Sequence, residues 1–462
     1  MADNPLLAAF GLHKGPELVA IVGGGGKTSL MFALARAWPG RVVTTTTTRI
    51  FAAQMSLSPA VVQIEEQAEA VESLLARLQA PLDQVGQCLV VGPVAEGSNV
   101  EKAFGVPPDL PGRLLGRAGI DLVVVEADGS RMRPVKAPAD HEPVVPPETT
   151  LLVPAVGMDA LDGPVEEIAH RPEKVRALLA GNRELALVDD RLTAVGLAQL
   201  IIHPQGGLKG APPAARIIPL LNKVETPAQH AVARQIAYRV LQEARVDRVV
   251  MGALRTPEPV RAVVRRVTAV ILAAGAAERM GRTKQLLPWG DTTLLGQVIR
   301  TARATAVSQI LVVTGHEAAA VAAVAQAEGA AVVDNPAYAA GEMLSSLQTA
   351  VRVLPDNVAA VLVLLADQPL VTPAVIDHLL QAYEREPYGL IAPTYDGQRG
   401  NPVLIDRRYF AELLALPAGA APRHLLRRHP DDVRLLPVDA PGVLIDLDDP
   451  QTYAQWQGRH PS

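Results

Sequence analysis

A chain of 462 residues is longer than one hydrophobic core normally serves, so two domains are the first expectation. Aromatic residues make up only 3% while Ala, Val, Leu and Gly dominate, which suits buried parallel strands alternating with helices and excludes a disulfide scaffold or a disordered chain. The net charge of −5 argues against a general nucleic-acid or membrane surface, and Cys88, the only cysteine, is expected in the core.

The N-terminus, MADNPLLAAFGLHKGPE, has no basic region followed by a sustained apolar segment, and no run reaches the roughly 18 apolar residues of a membrane span. A soluble, cytoplasmic protein is expected. Glu17 to Val22 reads as a short buried strand, followed by Gly23, Gly24, Gly25, Gly26, Lys27 and Thr28 and then a helix, SLMFALARAW. Glycines between a strand and a helix let backbone N–H groups wrap a phosphate at the helix N-terminus. Lys27 would reach the outer phosphates and the Thr28 hydroxyl would hold a magnesium ion. Full Walker A spacing would place a glycine at position 21, where this chain has Ile21. The bland alternative is a glycine turn without a ligand.

Arg41 to Arg49 carries five threonines, whose hydroxyls could face metal or phosphate or simply serve β-pairing. Asp121 to Val125 is a strand candidate ending in Glu126 and Asp128, with Glu126 placed to organise a metal. The loop from Ser130 to Pro147 gathers Arg131, Arg133, Lys136, Asp140, His141 and Glu142, either an anion site or a solvated loop. Asn222, Lys223 and Glu225 have the spacing of a guanine-reading NKxD motif, with glutamate where that motif has aspartate; a surface turn is the alternative. His141, His170 and His203 lack the spacing of a helical metal pair, so zinc is not expected.

The segments GGGGKTSLMF, VVTTTTTR, VVVEADGSRMRPVKAPADHEPVVP and LLNKVET together resemble the YqeC-like family, described as an accessory factor for selenium-dependent molybdenum hydroxylases. The glycine loop suggests NTP binding or hydrolysis, of ATP or GTP, coupled to cofactor handling, in a P-loop-like α/β domain over residues 1–255. Residues 256–266, with prolines and alternating cations, read as a semi-rigid linker to a second domain at 267–462.

That second domain opens on its most informative stretch. The apolar run Ala269 to Leu272 breaks into Ala273, Ala274 and Gly275, and then into a loop carrying Arg279, Gly281 and Lys284. Small residues permit close backbone approach, and the two cations are the pair expected where phosphates are gripped. Helical periodicity follows over Thr292 to Ala304, a strand over Ile310 to Thr314, a helix over Val321 to Ala327 and a strand over Ala331 to Val333. Gly341 to Leu347 starts a helix whose Ser345 and Ser346 could cap it or bond a nucleotide. Ala360 to Leu365 delivers Asp367 at its C-terminal end, where a carboxylate can hold Mg²⁺. Gly400, Asn401 and Pro402 form a turn able to present backbone groups to a bulky substrate. Val443 to Asp449 reads as a strand end carrying Asp446, a second metal ligand or a cap for the helix after Pro450.

LAAGAAERMGRTKQLLPWGDTTLL resembles the signature of the MobA-like nucleotidyltransferases, LAAGxSxRMGxxKxLLP, and within them the molybdenum cofactor cytidylyltransferases. Ala277 stands where that family has Ser or Gly. The resemblance implies a Rossmann-like domain with a mostly parallel sheet, and CMP transfer from CTP to molybdopterin with Mg²⁺ and release of pyrophosphate. Leu272, Ala273, Ala274, Gly275, Arg279, Gly281, Lys284, Ser345 and Ser346 would bind the nucleotide, and Asp367, with Asp446, the metal. An ionised acceptor phosphate needs no general base, so Arg279, Lys284 and Asp367 would act by alignment and charge neutralisation. A molybdenum hydroxylase apoenzyme is the expected partner. A non-catalytic cofactor chaperone and a transferase for another phosphorylated acceptor are the alternatives.

Overall fold

The computed structural model describes residues 4–13, 15–64, 70–94, 102–276, 283–386, 388–420 and 422–457, without the side chains at 183 and 340–342. The chain divides into two compact units, Met1–Val264 and Arg265–Ser462. Both are α/β. Among the described residues no helix is long and apolar enough to cross a membrane.

In the first unit β1 (Glu17–Gly23) leads through the glycine turn into α1 (Lys27–Ala37). Then come β2 (Arg41–Thr46), β3 (Val61–Gln63), α2 (Val71–Val85), β4 (Gln87–Val91), β5 (Ile120–Glu126) and β6 (Leu151–Gly157). β7 (Leu220–Asn222), β8 (Arg248–Gly252) and β9 (Val260–Arg265) complete the set. They form one sheet in the order β9-β8-β7-β6-β1-β5-β2-β4-β3, with the short strand Arg216–Ile217 also pairing with β6. The run from β6 to β3 is parallel, as are β7 with β6 and β8.

Strand alternation divides β1 between two cores. Val19 and Ile21 pack with Leu30 and Leu34 of α1, while Leu18, Ala20 and Val22 join Leu74, Leu78 and Leu82 of α2. Cys88 is fully buried in the second of these, and burial pushes its thiol up to about 12. The expected linker at 256–266 is corrected: Val260–Arg265 is β9, at the edge of this sheet beside β8. Its apolar residues decide this, since Ala262 and Val264 enter one core and Val263 the other.

In the second unit β10 (Val267–Leu272), α3 (Leu294–Arg303), β11 (Gln309–Thr314), β12 (Ala331–Asp334), α4 (Tyr338–Val353) and β13 (Ala360–Leu365) come first. α5 (Pro373–Arg385), β14 (Leu390–Tyr395), β15 (Gln398–Arg399), β16 (Val403–Asp406), β17 (Val433–Pro437) and α6 (Pro450–Gln457) follow. The order is β12-β11-β10-β13-β16-β14-β15, with β17 on β14. β12, β11, β10 and β13 are parallel, β16 reverses direction against β13 and β14, and β17 is parallel to β14.

Two expectations change here. The segment from Val443 is not a strand: Pro441–Leu444 is a 3₁₀ turn, because Pro441 lacks a ladder N–H and Gly442 backs onto the Leu370 carbonyl. α4 begins at Tyr338, ahead of Gly341, so Ser345 and Ser346 lie inside the helix and cap nothing. Leu362, in the middle of β13, is fully buried within this core. Leu362→Ala should cost roughly 2–5 kcal/mol of second-unit stability in a urea titration; a wild-type midpoint would contradict that placement.

Candidate functional sites at the strand ends

In each unit the strand register gathers the polar residues at the C-terminal ends of parallel strands, the usual ligand-binding edge of an open α/β sheet. In the second unit Leu272 of β10 is registered with Leu365 of β13, so the chain leaving β10 as Ala273-Ala274-Gly275 runs beside Asp367. A cavity of about 230 Å³ there is lined by residues 272–275, Lys284, Gln285, Tyr338, Met343, Ser346 and residues 365–367.

Among the described residues Lys284 is the one cation that lines it. Its Nζ donates to Asp367 and, at 2.5 Å, to Asp448. Burial alone would lower its pKa, but these two carboxylates outweigh burial and hold it above the ordinary lysine value. Asp446 accepts from Gln368 Nε2 at 2.6 Å; desolvation beside the cluster, and then the Asp367 charge, raise its pKa although the side chain still reaches solvent. The helix α6 is capped by Asp449, which accepts from the N–H groups of Gln451 and Thr452, so Asp446 is not needed as a cap.

Gln285, only 2% exposed, donates to the carbonyls of Ala273 at 2.9 Å and Gly275 at 3.2 Å and so fixes the small-residue turn. A Cβ on Gly275 would meet open space, leaving that face of the turn accessible. Ser345 and Ser346 both accept from Asn335 Nδ2, at 2.9 and 3.0 Å, and only Ser346 lines the cavity. Arg279 and Gly281 lie outside the described residues. Gly400 packs against Val443 and Asn401 donates its N–H to the Val443 carbonyl at 3.0 Å, so this turn is used in packing.

In the first unit a cavity of about 870 Å³ opens where Ile21 is registered with Glu126, Gly23 with Ala155 and Asn222 with Gly157. The glycine turn is pressed into the sheet edge. Gly25 has φ +66°, and a Cβ there would sit 2.1 Å from the Gly157 nitrogen. The N–H groups of Gly24 and Gly25 are bound to the carbonyls of Ala155 at 2.8 Å and Arg133 at 3.2 Å. The amides left facing the cavity are therefore those at the start of α1, a narrower cradle than a wrapping loop provides.

Lys27, 4% exposed, donates to the Gly23 carbonyl at 2.7 Å and lies 3.3 Å from Asp128 and 3.7 Å from Glu126. Thr28 donates to Glu126 at 2.7 Å. Burial raises the Glu126 pKa, with Lys27 and Thr28 opposing. Asn222 spends both ends of its amide on backbone, donating to the Gly25 carbonyl at 2.7 Å and accepting from the Leu254 N–H at 3.2 Å. Lys223 pairs with Asp159 at 2.5 Å, and Glu225 lines the cavity. In the threonine run, Thr45 and Thr46 donate to the carbonyls of Val90 and Glu126 in the sheet, while Thr47 and Thr48 line the cavity.

Two comparisons define the family. Residues 19–173 match the family described as YqeC protein, and residues 269–433 match the MobA-like NTP transferase domain. The chain is 31% identical over 255 residues to the protein named "Uncharacterized protein YqeC" of Escherichia coli (strain K12), covering 54% of this chain and 92% of that one. This chain belongs to the YqeC family and carries a MobA-like NTP transferase domain after it. The transferase unit is similar to the molybdenum cofactor cytidylyltransferase of the same organism, 26% identical over 200 residues, 42% of this chain and 97% of that protein. It is also similar to the nicotine blue oxidoreductase of Paenarthrobacter nicotinovorans, 31% identical over 193 residues, 39% of this chain and 92% of that protein.

Sequence reasoning missed Asp448, Gln285 and Arg171. Asp448 stands two residues beyond Asp446 in the same acidic run, and Gln285 directly follows Lys284, so both were adjacent to singled-out residues. Arg171 had no local signal. In the YqeC unit it bonds Glu142 at 2.8 Å, and Lys136 bonds the same carboxylate at 2.8 Å. Burial by itself would raise the Glu142 pKa, but these two cations bring it from 4.5 down to about 2. A carboxylate whose folded pKa lies below its unfolded one stabilises fully above the unfolded value and stops stabilising as pH falls through the folded one, a contribution on the order of 2–3 kcal/mol here. Glu142→Gln should therefore lower stability at neutral pH and flatten its decline between about pH 5 and pH 2. Thermal melts across that range that keep the wild-type slope would contradict the pairing.

Proposed function

We propose that the transferase unit moves CMP from CTP to the phosphate of molybdopterin, releasing pyrophosphate, and that the YqeC unit binds ATP or GTP as an accessory to delivery of the cofactor to a molybdenum hydroxylase. The observation that carries the first half is Lys284, held between Asp367 and Asp448 beside the Gly275 turn. A lysine over carboxylates at a strand end is poised to exchange those partners for phosphate oxygens.

Asp367 and Asp448, with Asp446 alongside, are hard oxygen donors of the kind Mg²⁺ takes together with substrate phosphates. Bound there, Mg²⁺ would neutralise charge on the α- and β-phosphate oxygens. An oxygen of the acceptor phosphate attacks the α-phosphorus as the bond to the β-phosphate oxygen breaks. That acceptor is already ionised at neutral pH, so no residue of the chain has to take a proton. Lys284 steadies the negative charge that grows on pyrophosphate, and Arg279 is proposed to assist it. Ala273 and Ala274, kept in place by Gln285, give the base its close approach to backbone.

In the YqeC unit the start of α1, Lys27 and Thr28 support phosphate binding, with Glu126 beside Thr28 as the metal-organising acid. Asn222 supports the glycine turn; Lys223 and Glu225 remain the proposed contacts to the base.

Pyrophosphate release should occur with CTP and molybdopterin, and fall with GTP or without the acceptor. An equal rate with every nucleotide triphosphate and no acceptor dependence would refute the cytidylyl assignment. Asp367→Ala should lower kcat/KM on the order of 10²-fold or more with the fold retained, and Lys284→Ala should do likewise; wild-type turnover in either would remove it from the mechanism. Lys27→Ala should abolish nucleotide binding at the YqeC unit in calorimetry, and equal affinity would return the glycine turn to a structural role.

A further inference from the structure

The YqeC cavity is lopsided in charge. Seven Lys or Arg and three Glu line it, within a chain whose net charge is −5. Lys27 serves the glycine-turn end. Another part of the wall is built by the loop carrying Arg131, whose Arg133 carbonyl meets the Gly25 N–H, and by His170 and Arg171, which precede the helix Pro172–Leu179.

Three observations single out that wall. His170 Nδ1 is buried without a hydrogen-bond partner among the described residues. Its pKa is lowered by burial and then by the charges of Arg171, Lys136 and Arg131, so the imidazole is neutral and ringed by cations at neutral pH. Arg131, Met132 and Arg171, all lining this part of the cavity, hold positive φ, between +49° and +67°, a conformation that costs a non-glycine residue energy and that clusters at ligand sites.

Lys27 and this part of the wall are joined by a line of alternating charges that is buried at its Lys27 end. Lys27 lies 3.3 Å from Asp128, Asp128 3.1 Å from Lys136, Lys136 2.8 Å from Glu142, and Glu142 2.8 Å from Arg171. Lys27, Asp128 and Lys136 are each less than a tenth exposed. A buried ion chain of this kind is seldom the cheapest way to fill a core, and its best-attested use is as a switch or register device. When Lys27 turns to nucleotide phosphates, Asp128 loses one of its two cations and draws on Lys136. Glu142 then depends more on Arg171 Nη1, which pins that guanidinium at the cavity wall and leaves less to be ordered when an anion arrives on its other donors.

We propose that the YqeC unit binds a second small phosphate monoester on Arg131, His170 and Arg171 at the same time as its nucleotide, and that the Lys27–Asp128–Lys136–Glu142–Arg171 chain couples the two. A guanidinium fork with a neutral imidazole suits a tetrahedral phosphate better than a lone planar carboxylate. The inference rests on nucleotide binding to this unit.

The test titrates inorganic phosphate, with acetate at equal ionic strength as the control, into the full chain alone and saturated with magnesium and a non-hydrolysable ATP or GTP analogue. The nucleotide-loaded chain should bind phosphate at least about fivefold more tightly than the free chain, phosphate should tighten the nucleotide by the same factor, and acetate should not bind. Arg171→Ala and, as a variant on an exposed loop, Arg131→Ala should lose that phosphate while nucleotide affinity without phosphate stays within about twofold. Lys136→Met should keep both ligands and bring the coupling factor to about one. Competition between phosphate and nucleotide, phosphate affinity unchanged in both arginine variants, or acetate binding as well as phosphate would overturn the proposal. Failure of both analogues to bind the unit would overturn the nucleotide reading with it, whereas binding of nucleotide without phosphate would sink this inference alone.

Discussion

A lysine keeps its charge at the poorly solvated end of a parallel sheet when carboxylates stand beside it, and both units have that arrangement. Lys27 is held by Asp128 and Glu126, Lys284 by Asp367 and Asp448. Neither arrangement is an economical structural device, because desolvating both partners offsets most of the attraction between them. What it provides is a cation already aimed at the strand ends and partners it can leave when an anion arrives.

The sheets make this possible by register. Parallel strands that start in line finish in line, so residues far apart in sequence emerge side by side: Gly275 with Asp367 in one unit, the glycine turn with Glu126, Gly157 and Asn222 in the other. The apolar residues of each strand are divided between the two faces and buried under helices, which leaves the chemistry to the one edge that helices do not cover. The glycine turn shows how tight that edge is. Its Gly24 and Gly25 amides are consumed by neighbouring carbonyls, so the start of α1 and the lysine carry the anion-binding capacity.

Much of this was legible in the amino-acid order. Apolar runs of five to seven residues bounded by glycines and acids marked the central strands of both units, because a strand buried on both faces has no polar alternation to blur it. Glu126 and Asp367 stand at the end of such a run, and Lys27, Thr28 and Lys284 stand in or just after the small-residue turn or loop that follows one, which is what singles them out. The edges were harder. Val260–Arg265 looked like a linker since cations flank its apolar core, and Val443 onward looked like a strand although Pro441 and the close approach of Gly442 to Leu370 turn it into a 3₁₀ segment.

By itself, then, the order of residues determined the α/β class, the succession of strands and the cations at their ends, because hydrophobic period and small-residue turns are local properties. Tertiary structure alone decided which carboxylates those cations meet. Asp448 reaches Lys284 from 164 residues away, and Arg171 reaches Glu142 across 29. It also decided that Ser345 and Ser346 sit inside a helix under Asn335 and that Asn222 holds a backbone carbonyl. Such pairings depend on strand order and on how loops fold over the sheet edge, and no periodicity in the chain encodes the distance between two side chains brought together by different strands.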